Sequence, residues 1–255
     1  MTKIHHINCG YLQAPPNPKV ICHCLLLEDE GGLALVDTGI GLLDVQNPLE
    51  RIGQPLIDMA GFLFHEEDTA VQQVEKLGFR AEDVTHVVLT HCDPDHTGGL
   101  ADFPHAAVHV AEEEHASVGR GRWRYLPIQF AHGPAWKTYP PISARRWFGL
   151  EARSVDLGIG SEVLLVPLFG HTLGHCGVAV RQEGERWVLH VGDAYYLRVE
   201  LTTDDHPVSV LTAQRADDDD RRKASLGHLR RLAREHRDEI ELFGYHDPSE
   251  FPQVG

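Results

Sequence analysis

Long apolar runs, paired cysteines and an excess of basic residues are all missing from this sequence. No stretch of about 18 apolar residues occurs, so no transmembrane helix is expected. The opening residues lack the apolar run of a signal peptide. The 5 cysteines show no framework spacing, which does not favour an oxidising compartment. We therefore expect a cytoplasmic protein with no membrane partner.

The charge balance is acidic, with 38 Asp and Glu residues against 23 Lys and Arg residues and a net charge of −15. A protein that binds nucleic acid normally presents a basic face, so no nucleic-acid partner is expected and a small-molecule substrate is favoured. A chain of 255 residues is long enough for one large domain or two small ones. No period of roughly 20–50 residues repeats, and a single α/β domain over residues 1–255 is the simpler expectation.

Short β-branched or apolar runs alternate with segments of helical periodicity. The predicted strands cover residues 4–9, 20–27, 33–36, 85–89, 107–110, 163–166, 177–181, 187–191 and 240–243. The predicted helices cover residues 69–77, 112–118 and 219–236. The chain is thus divided into two strand-rich halves that each include helices.

Residues 119–150, called here the aromatic segment, differ in character from the rest of the chain. They contain several prolines and many large aromatic residues, among them Trp123, Tyr125, Trp136, Tyr139, Trp147 and Phe148. The segment lacks a clear periodicity, which predicts an irregular insertion. Two roles are open. The segment either covers a substrate pocket, to which Trp123, Tyr125, Trp136 or Trp147 contributes, or forms a structural mini-core or a homodimer contact.

The placement of the 18 histidines is more informative than their number. Four potential metal ligands, His91, Asp93, Asp95 and His96, fall within six residues directly after a predicted strand. Histidine combined with carboxylate suits Zn, Fe, Mn or Co. Such close neighbours cannot all surround one ion, whereas two ions a few Å apart can use them all. The alternative is a polar loop with capping aspartates.

Three further residues of the same kind, His171, Asp193 and His246, each come just past a predicted strand. Loops at strand ends are where sites on β scaffolds are usually built. Each residue alone is weak evidence, because a single histidine after a strand more often has a structural role. In this order, together with the first four, they indicate one metal centre.

The pattern resembles that of the metallo-β-lactamase-fold hydrolase superfamily, H-x-H-x-D-H followed by a distant His, an Asp and a final His. The resemblance implies a four-layer αββα sandwich of class α/β. It also implies two divalent metal ions, held by His91, Asp93 and His171 for metal one, by Asp95, His96 and His246 for metal two, and by Asp193 as a bridge. Asp37, in an Asp-Thr-Gly turn, matches a family position that supports the site from behind the ligands.

The narrower resemblance is to N-acyl homoserine lactonases. They have a similar order of elements, a tyrosine three residues after the bridging aspartate, here Tyr196, and a final Gly-His-Asp turn, where this chain has residues 244–247. The resemblance implies hydrolysis of an ester or lactone carbonyl by a metal-bound hydroxide. Tyr196 would stabilise the oxyanion, and Asp95 would pass a proton to the leaving alkoxide.

Asp93 departs from the family pattern, which has histidine at this position. A carboxylate is a harder ligand than an imidazole, so the site should lean less toward zinc and more toward manganese or iron than the family pattern does. Zinc stays the first expectation, and iron or manganese are the alternatives. Two other functions stay open: an iron-dependent redox enzyme of the same fold, acting on thiols or oxygen, and a non-catalytic metal-binding regulatory domain. The regulatory alternative is the weaker, since all seven family positions hold a residue able to bind metal.

Overall fold

The computed structural model describes residues 2–14, 18–121, 123–141 and 145–252. Within them the strands form two sheets. The first sheet contains, in spatial order, β4 (Phe62–Leu63), β1 (Lys3–Leu12), β2 (Val20–Asp29), β3 (Gly32–Val36), β5 (Val84–Val88), β6 (Ala107–Ala111) and β7 (Ala135–Tyr139). The second contains β13 (Ile240–Phe243), β12 (Trp187–His190), β11 (Cys176–Arg181), β10 (Val163–Pro167), β9 (Leu150–Val155) and β8 (Arg145–Trp147).

The helices are short except for the last one. They are α1 (Leu42–Gln46), α2 (Pro48–Arg51), α3 (Gln54–Ala60), α4 (Ala70–Lys76), α5 (Pro94–Thr97), α6 (Glu112–Val118), α7 (Pro207–Arg215) and α8 (Asp219–Glu235). No helix in the described ranges is both long and apolar enough to cross a bilayer.

Three apolar cores separate four layers. Leu25 and Leu27 of β2 face the second sheet and pack with β10 and β11 residues such as Leu165. Their neighbour Leu26 faces the opposite way, into a core that includes Val74 of α4. Residues on both faces of β2 are buried because each face is covered, which explains its continuous apolar run. A third core joins Leu229 of α8 to the outer face of the second sheet. The expected αββα sandwich is confirmed.

Parallel pairing brings several strand ends to one edge of the sandwich. In the first sheet β3 runs parallel to β5, with Val36 opposite Val88. In the second sheet β12 runs parallel to β13, with His190 opposite Phe243. The carboxyl ends of parallel strands meet at the same edge, where loops are free to build a site. The loops that carry the predicted ligands all start there. The turn after β10 that carries His171 is one of them, because β10 and β12 are both antiparallel to β11 and so run in the same direction.

The aromatic segment is irregular over only part of its length, because two strands form within it. Within it, β7 pairs in parallel with β6 and extends the first sheet, while β8 pairs with β9 in the second. Most residues of β7 are exposed or half-buried, so the strand lacks the apolar alternation by which sequence reasoning recognises strands. Its conformation comes from backbone pairing with a strand distant in sequence. Residues 122 and 142–144 of this segment lie outside the described residues.

Candidate metal centre

The loop after β5 brings four of the predicted ligands to the sheet edge. Pro94 occupies the first turn of α5, a position where its missing N–H costs nothing. Asp95 and His96 lie in that helix and are buried. Asp93 stands just before α5, but its side chain forms no capping hydrogen bond with the helix. The alternative of a polar loop with capping aspartates therefore does not describe Asp93.

His91, Asp93 and His171, called here the first cluster, lie close together. Nε2 of His171 is 3.1 Å from Oδ2 of Asp93, and Nε2 of His91 is 3.4 Å from the same oxygen. Asp193 adjoins this cluster, with its Oδ2 3.5 Å from Nε2 of His171.

Asp95, His96 and His246 form the second cluster. Nε2 of His246 is 3.5 Å from Oδ2 of Asp95, and Nε2 of His96 is 3.8 Å from it. Asp193 reaches this cluster as well, with its Oδ2 3.4 Å from His246 and its Oδ1 3.4 Å from His96. All seven predicted residues are thus brought together, and Asp193 lies between the two clusters.

These spacings suit metal coordination. Bonds of about 2.0–2.2 Å in a tetrahedron place neighbouring ligand atoms about 3.3–3.6 Å apart. Most separations within the clusters fall in or near that range. Nε2 of His91 and Nε2 of His96 are buried and form no hydrogen bond with the described residues, so each retains a lone pair directed into the site.

Asp37 fixes two of these imidazoles from behind. Its Oδ2 accepts a hydrogen bond from Nδ1 of His96 at 2.9 Å and from the Thr90 hydroxyl at 2.8 Å. The Thr90 oxygen in turn lies 3.1 Å from Nδ1 of His91. Donation from Nδ1 leaves Nε2 as the unprotonated nitrogen, the usual device for orienting a metal-binding histidine. Asp37 has a left-handed backbone conformation, with φ at 57°. This conformation is strained for a residue other than glycine, and the surrounding contacts hold it in place.

His246 is oriented in the same way by a backbone group. Its Nδ1 lies 2.9 Å from the carbonyl oxygen of Ile21, which can only accept. In the neutral ring, Nε2 of His246 is therefore the nitrogen without a proton, and it faces the second cluster. His171 differs, because its Nδ1 is buried without a hydrogen bond to the described residues.

His175 and Tyr245 also position the site, and the sequence reasoning did not single them out. Nδ1 of His175 donates to the Leu168 carbonyl at 3.0 Å, and its Nε2 accepts from the backbone N–H of Asp193 at 2.9 Å. Burial lowers the pKa of His175 to about 3, which keeps the ring neutral and able to accept. Tyr245 stacks on His96 with ring centroids 3.8 Å apart and donates to the carbonyl of Asp95. The second histidine of Gly-His-Thr-Leu-Gly-His was the available signal for His175.

Arg124, from the aromatic segment, is a further residue that the sequence did not reveal. Its side chain is buried, and its guanidinium binds both oxygens of Asp93 at 2.7 Å. Burial alone would raise the pKa of Asp93, but Arg124 and His91 outweigh it and hold that pKa well below its usual range. Asp93 is therefore a carboxylate that already has a cationic partner.

A pocket of about 480 Å³ opens directly above the clusters. Asp93, Asp95, Asp193, Tyr196 and His246 form its polar floor. Its walls are mainly apolar and come from β1, β2, α3, β4 and α7, with Leu12, Val20, Leu56, Ala60, Phe62, Val208 and Leu211 among them. The volume is typical of a small-molecule site.

Tyr196 lies where the two clusters meet the pocket. Its ring centroid is 5.9 Å from that of His171 and 5.2 Å from that of His246. Burial, reinforced by Asp193, raises the phenol pKa well above its usual value, so the hydroxyl remains a donor. The adjacent Tyr195 points elsewhere and donates to Glu250 at 2.9 Å.

Of the four aromatic residues predicted to reach the pocket, one does so. Trp123 lines the pocket and is 67% exposed. Tyr125 is buried beneath the site, Trp136 packs against Phe130 and His115, and Trp147 belongs to the core under α8. Of these four aromatic residues, Trp123 thus contributes to the pocket wall and the other three pack elsewhere.

Comparison with known proteins gives matches over most of the chain. The profile of the metallo-beta-lactamase superfamily matches residues 17–233. A probable metallo-hydrolase of Mycobacterium tuberculosis is 42% identical over 254 residues, covering 96% of this chain and 77% of that protein. An N-acyl homoserine lactonase of Bacillus cereus is 27% identical over 182 residues, covering 69% of this chain and 64% of that protein.

Solved structures agree on the fold. An N-acyl homoserine lactone hydrolase, solved with the product N-hexanoyl-L-homoserine bound at its catalytic metal centre, superposes with a TM-score of 0.74 at 21% identity. The superposition covers 97% of this chain and 94% of that one. The arrangement of the two sheets is therefore similar in the two proteins.

Proposed function

Because this chain belongs to the metallo-β-lactamase superfamily and is a metal-dependent hydrolase, we propose that it hydrolyses an ester or lactone with an apolar acyl group, using two divalent cations. One observation carries the proposal: the two clusters, joined by Asp193, form the floor of a pocket with apolar walls. A substrate whose reacting carbonyl lies at the polar floor and whose acyl group lies along the apolar walls would match both parts of the pocket.

Each cluster would hold one cation. His91, Asp93 and His171 would bind the first, Asp95, His96 and His246 the second, and Asp193 would bridge the two. Zinc suits this mixture of imidazole and carboxylate, and iron or manganese is the alternative. When bound, the cations would act as Lewis acids and lower the pKa of a water molecule to about 7.

Two side chains would act on the substrate itself. The Tyr196 hydroxyl, a persistent donor above the junction of the clusters, would stabilise the negative charge that develops on the carbonyl oxygen. Asp95, at the pocket floor, would accept the proton that the attacking water loses and transfer it to the leaving alkoxide, as a second function beside ligation.

The pocket walls set the expected substrate class. Residues of α3 and α7, among them Leu56 and Leu211, line the cavity with apolar side chains that suit an acyl chain, and Arg215 is the charged residue that α7 contributes. The lactone hydrolase with its acylated product supports a substrate of this kind, since its fold is the same. We expect kcat/KM to rise with acyl length until the cavity is filled.

The test begins with metal analysis of protein purified without added metal. Stripped and reloaded protein is then assayed on lactones, aryl esters, phosphodiesters and thioesters of matched acyl length. We expect activity on lactones or aryl esters that disappears with the metal and returns on reloading. Asp193→Asn removes the shared ligand and should abolish both metal retention and activity, whereas Asp220→Asn, an exposed change on α8, should preserve both. Turnover of phosphodiesters alone, or iron with oxygen consumption, would contradict the proposal.

A further inference from the structure

Every nitrogen of the Arg124 guanidinium group has a hydrogen-bond or ion-pair partner. Nε and one terminal nitrogen bind Asp93. The other terminal nitrogen, Nη1, donates to the His171 carbonyl at 2.7 Å and lies 3.1 Å from Asp217. A guanidinium has five N–H groups in a rigid fork, and this network gives each of them a partner. The side chain is therefore fixed, and it is not free to turn toward a substrate.

This fixed cation stands within the first cluster. Nη2 of Arg124 lies 3.2 Å from Nε2 of His171, the same nitrogen that lies 3.1 Å from Asp93. A lone pair on that nitrogen can accept from Arg124 or bind a metal, but it cannot do both. The positive charge also repels any cation placed between His171 and Asp93, and burial reduces the screening of that repulsion.

The second cluster has no such neighbour. Among the described residues, no lysine or arginine forms an ion pair with Asp95 or Asp193. The histidines of this cluster are oriented through Nδ1 by Asp37 and Ile21, and both direct Nε2 into the site. It therefore offers a cation a carboxylate that has no lysine or arginine partner among the described residues, together with two imidazole Nε2 atoms that face this carboxylate.

We propose that Arg124 makes the two metal subsites unequal, so that the second cluster binds its cation first and the first cluster binds one more weakly. Arg124 acts as a positioning residue through Asp93 and His171. The inference rests on the two-cation site of the proposed function. It adds that Asp93 and Arg124 form a neutral pair where the family pattern has a neutral histidine, which lowers the strength of Asp93 as a ligand.

The experiment measures stepwise Zn²⁺ binding to stripped, full-length protein by titration against a competing chelator. Metal content is counted by mass spectrometry, and no substrate is needed. We expect two binding steps whose dissociation constants differ at least tenfold. Asp95→Asn should remove the tight step, whereas Asp93→Asn should leave it. Two equally tight steps, or a tight step that depends on Asp93 rather than Asp95, would overturn the inference.

Arg124→Met tests the cause directly. Removal of the cation should tighten the weak step at least tenfold and leave the tight step within about threefold. Arg153→Met is the matched control, because Arg153 is also buried and also binds a carboxylate, Glu113, through two nitrogens, but outside the site. A weak step that is unchanged or weakened in folded Arg124→Met would refute the proposal. The wild-type and aspartate titrations decide the matter if that variant does not fold.

The outcomes separate this inference from the proposed function. Absence of esterase or lactonase turnover would count against the function and leave the binding steps unaffected. Equal binding steps in a protein that hydrolyses lactones would overturn only the role of Arg124.

Discussion

At the scale of single residues, adjacent side chains of the same type have different roles. Tyr195 is buried, and its hydroxyl donates to Glu250, far from the ligands. Tyr196 is the next residue in the same loop, and its side chain lines the pocket. The backbone N–H of Tyr196 donates to Glu200 at 2.8 Å, which helps to hold this orientation. The two tyrosines therefore form a natural pair of test and control.

Tyr196→Phe removes one hydroxyl from the pocket. If that hydroxyl donates to the transition state, kcat on the best substrate should fall about 10²-fold or more, the usual loss for one such donor. Metal content should be unchanged, because Tyr196 is not among the ligands. Steady-state kinetics and metal analysis check both parts. Tyr195→Phe serves as the control and should keep kcat, and an unaltered kcat in Tyr196→Phe would remove this residue from the mechanism.

At the scale of elements, Glu114 of α6 ties together three loops. One of its carboxylate oxygens accepts from the Cys92 N–H and the Tyr125 hydroxyl, both at 3.0 Å. The other accepts from the Thr172 hydroxyl at 2.6 Å and the Gly174 N–H at 3.1 Å. These donors lie next to His91, Arg124 and His171 along the chain. A single buried carboxylate thus sets the relative position of the segments that form the first cluster.

Glu114→Gln replaces an acceptor oxygen with an NH₂ group that faces two donors. Loss of those hydrogen bonds in a buried position should lower the free energy of unfolding by about 2 to 3 kcal/mol. Because the loops then move, Zn²⁺ should also bind more weakly to the first cluster. Chemical denaturation and metal titration measure the two effects. Glu112→Gln, on the exposed face of the same helix, should change neither. Wild-type stability in Glu114→Gln would show that the network does not hold the loops.

Helix α7 forms one wall of the pocket. Some of its side chains line the pocket, and others face solvent. Leu211 lines the pocket, whereas Val210 is 60% exposed and lies outside it. Leu211→Trp should fill part of the cavity, so that kcat/KM falls about tenfold or more for long acyl esters and little for acetyl esters. Kinetics on an ester series measures the change. Val210→Trp should leave the series as in the wild type. An equal loss for short and long esters would argue against an acyl chain in this pocket.

At the scale of the whole molecule, buried histidines link stability to pH. His109 in β6 is buried and contacts His86 at 2.9 Å and Tyr139 at 2.7 Å through its two ring nitrogens. Burial, with a contribution from His86, lowers the pKa of His109 to about 4. Burial likewise lowers the pKa of His23 to about 2. The unfolded chain, with ordinary histidine pKa values near 6.5, binds protons that the folded chain rejects.

Stability should therefore fall as the pH drops from about 6.5 to about 4, because the unfolded state gains protons over that range. His109→Gln removes one of these groups. We expect it to flatten the acid dependence of the unfolding free energy by at most about 3 kcal/mol. Urea denaturation at several pH values checks this. His228→Gln, on the exposed face of α8, is the control and should keep the wild-type slope. An unchanged slope in His109→Gln would show that His109 does not contribute to the acid dependence of the unfolding free energy.

The predicted elements agree with the structure where one face or both faces of a segment are covered by apolar neighbours. The helix predicted at residues 112–118 and the strand predicted at residues 240–243 have the observed bounds. Helices α1, α2 and α3 were not predicted, and neither was α7. They are short, bury few residues and begin at glycine or proline turns, so their periodicity covers too few turns to be read.

The sequence by itself determined the residue types of the site and their order. A strand followed by alternating His and Asp residues requires only local geometry, and this pattern pointed to the ligands. The αββα fold followed from the resemblance of the pattern to that of a known superfamily. Tertiary structure alone decided which partner each ligand has. Arg124 reaches Asp93 across 31 positions of the chain, and Glu114 reaches Gly174 across 60. Such contacts leave no periodic trace, because they depend on how distant segments pack and on which buried charges can find a partner there.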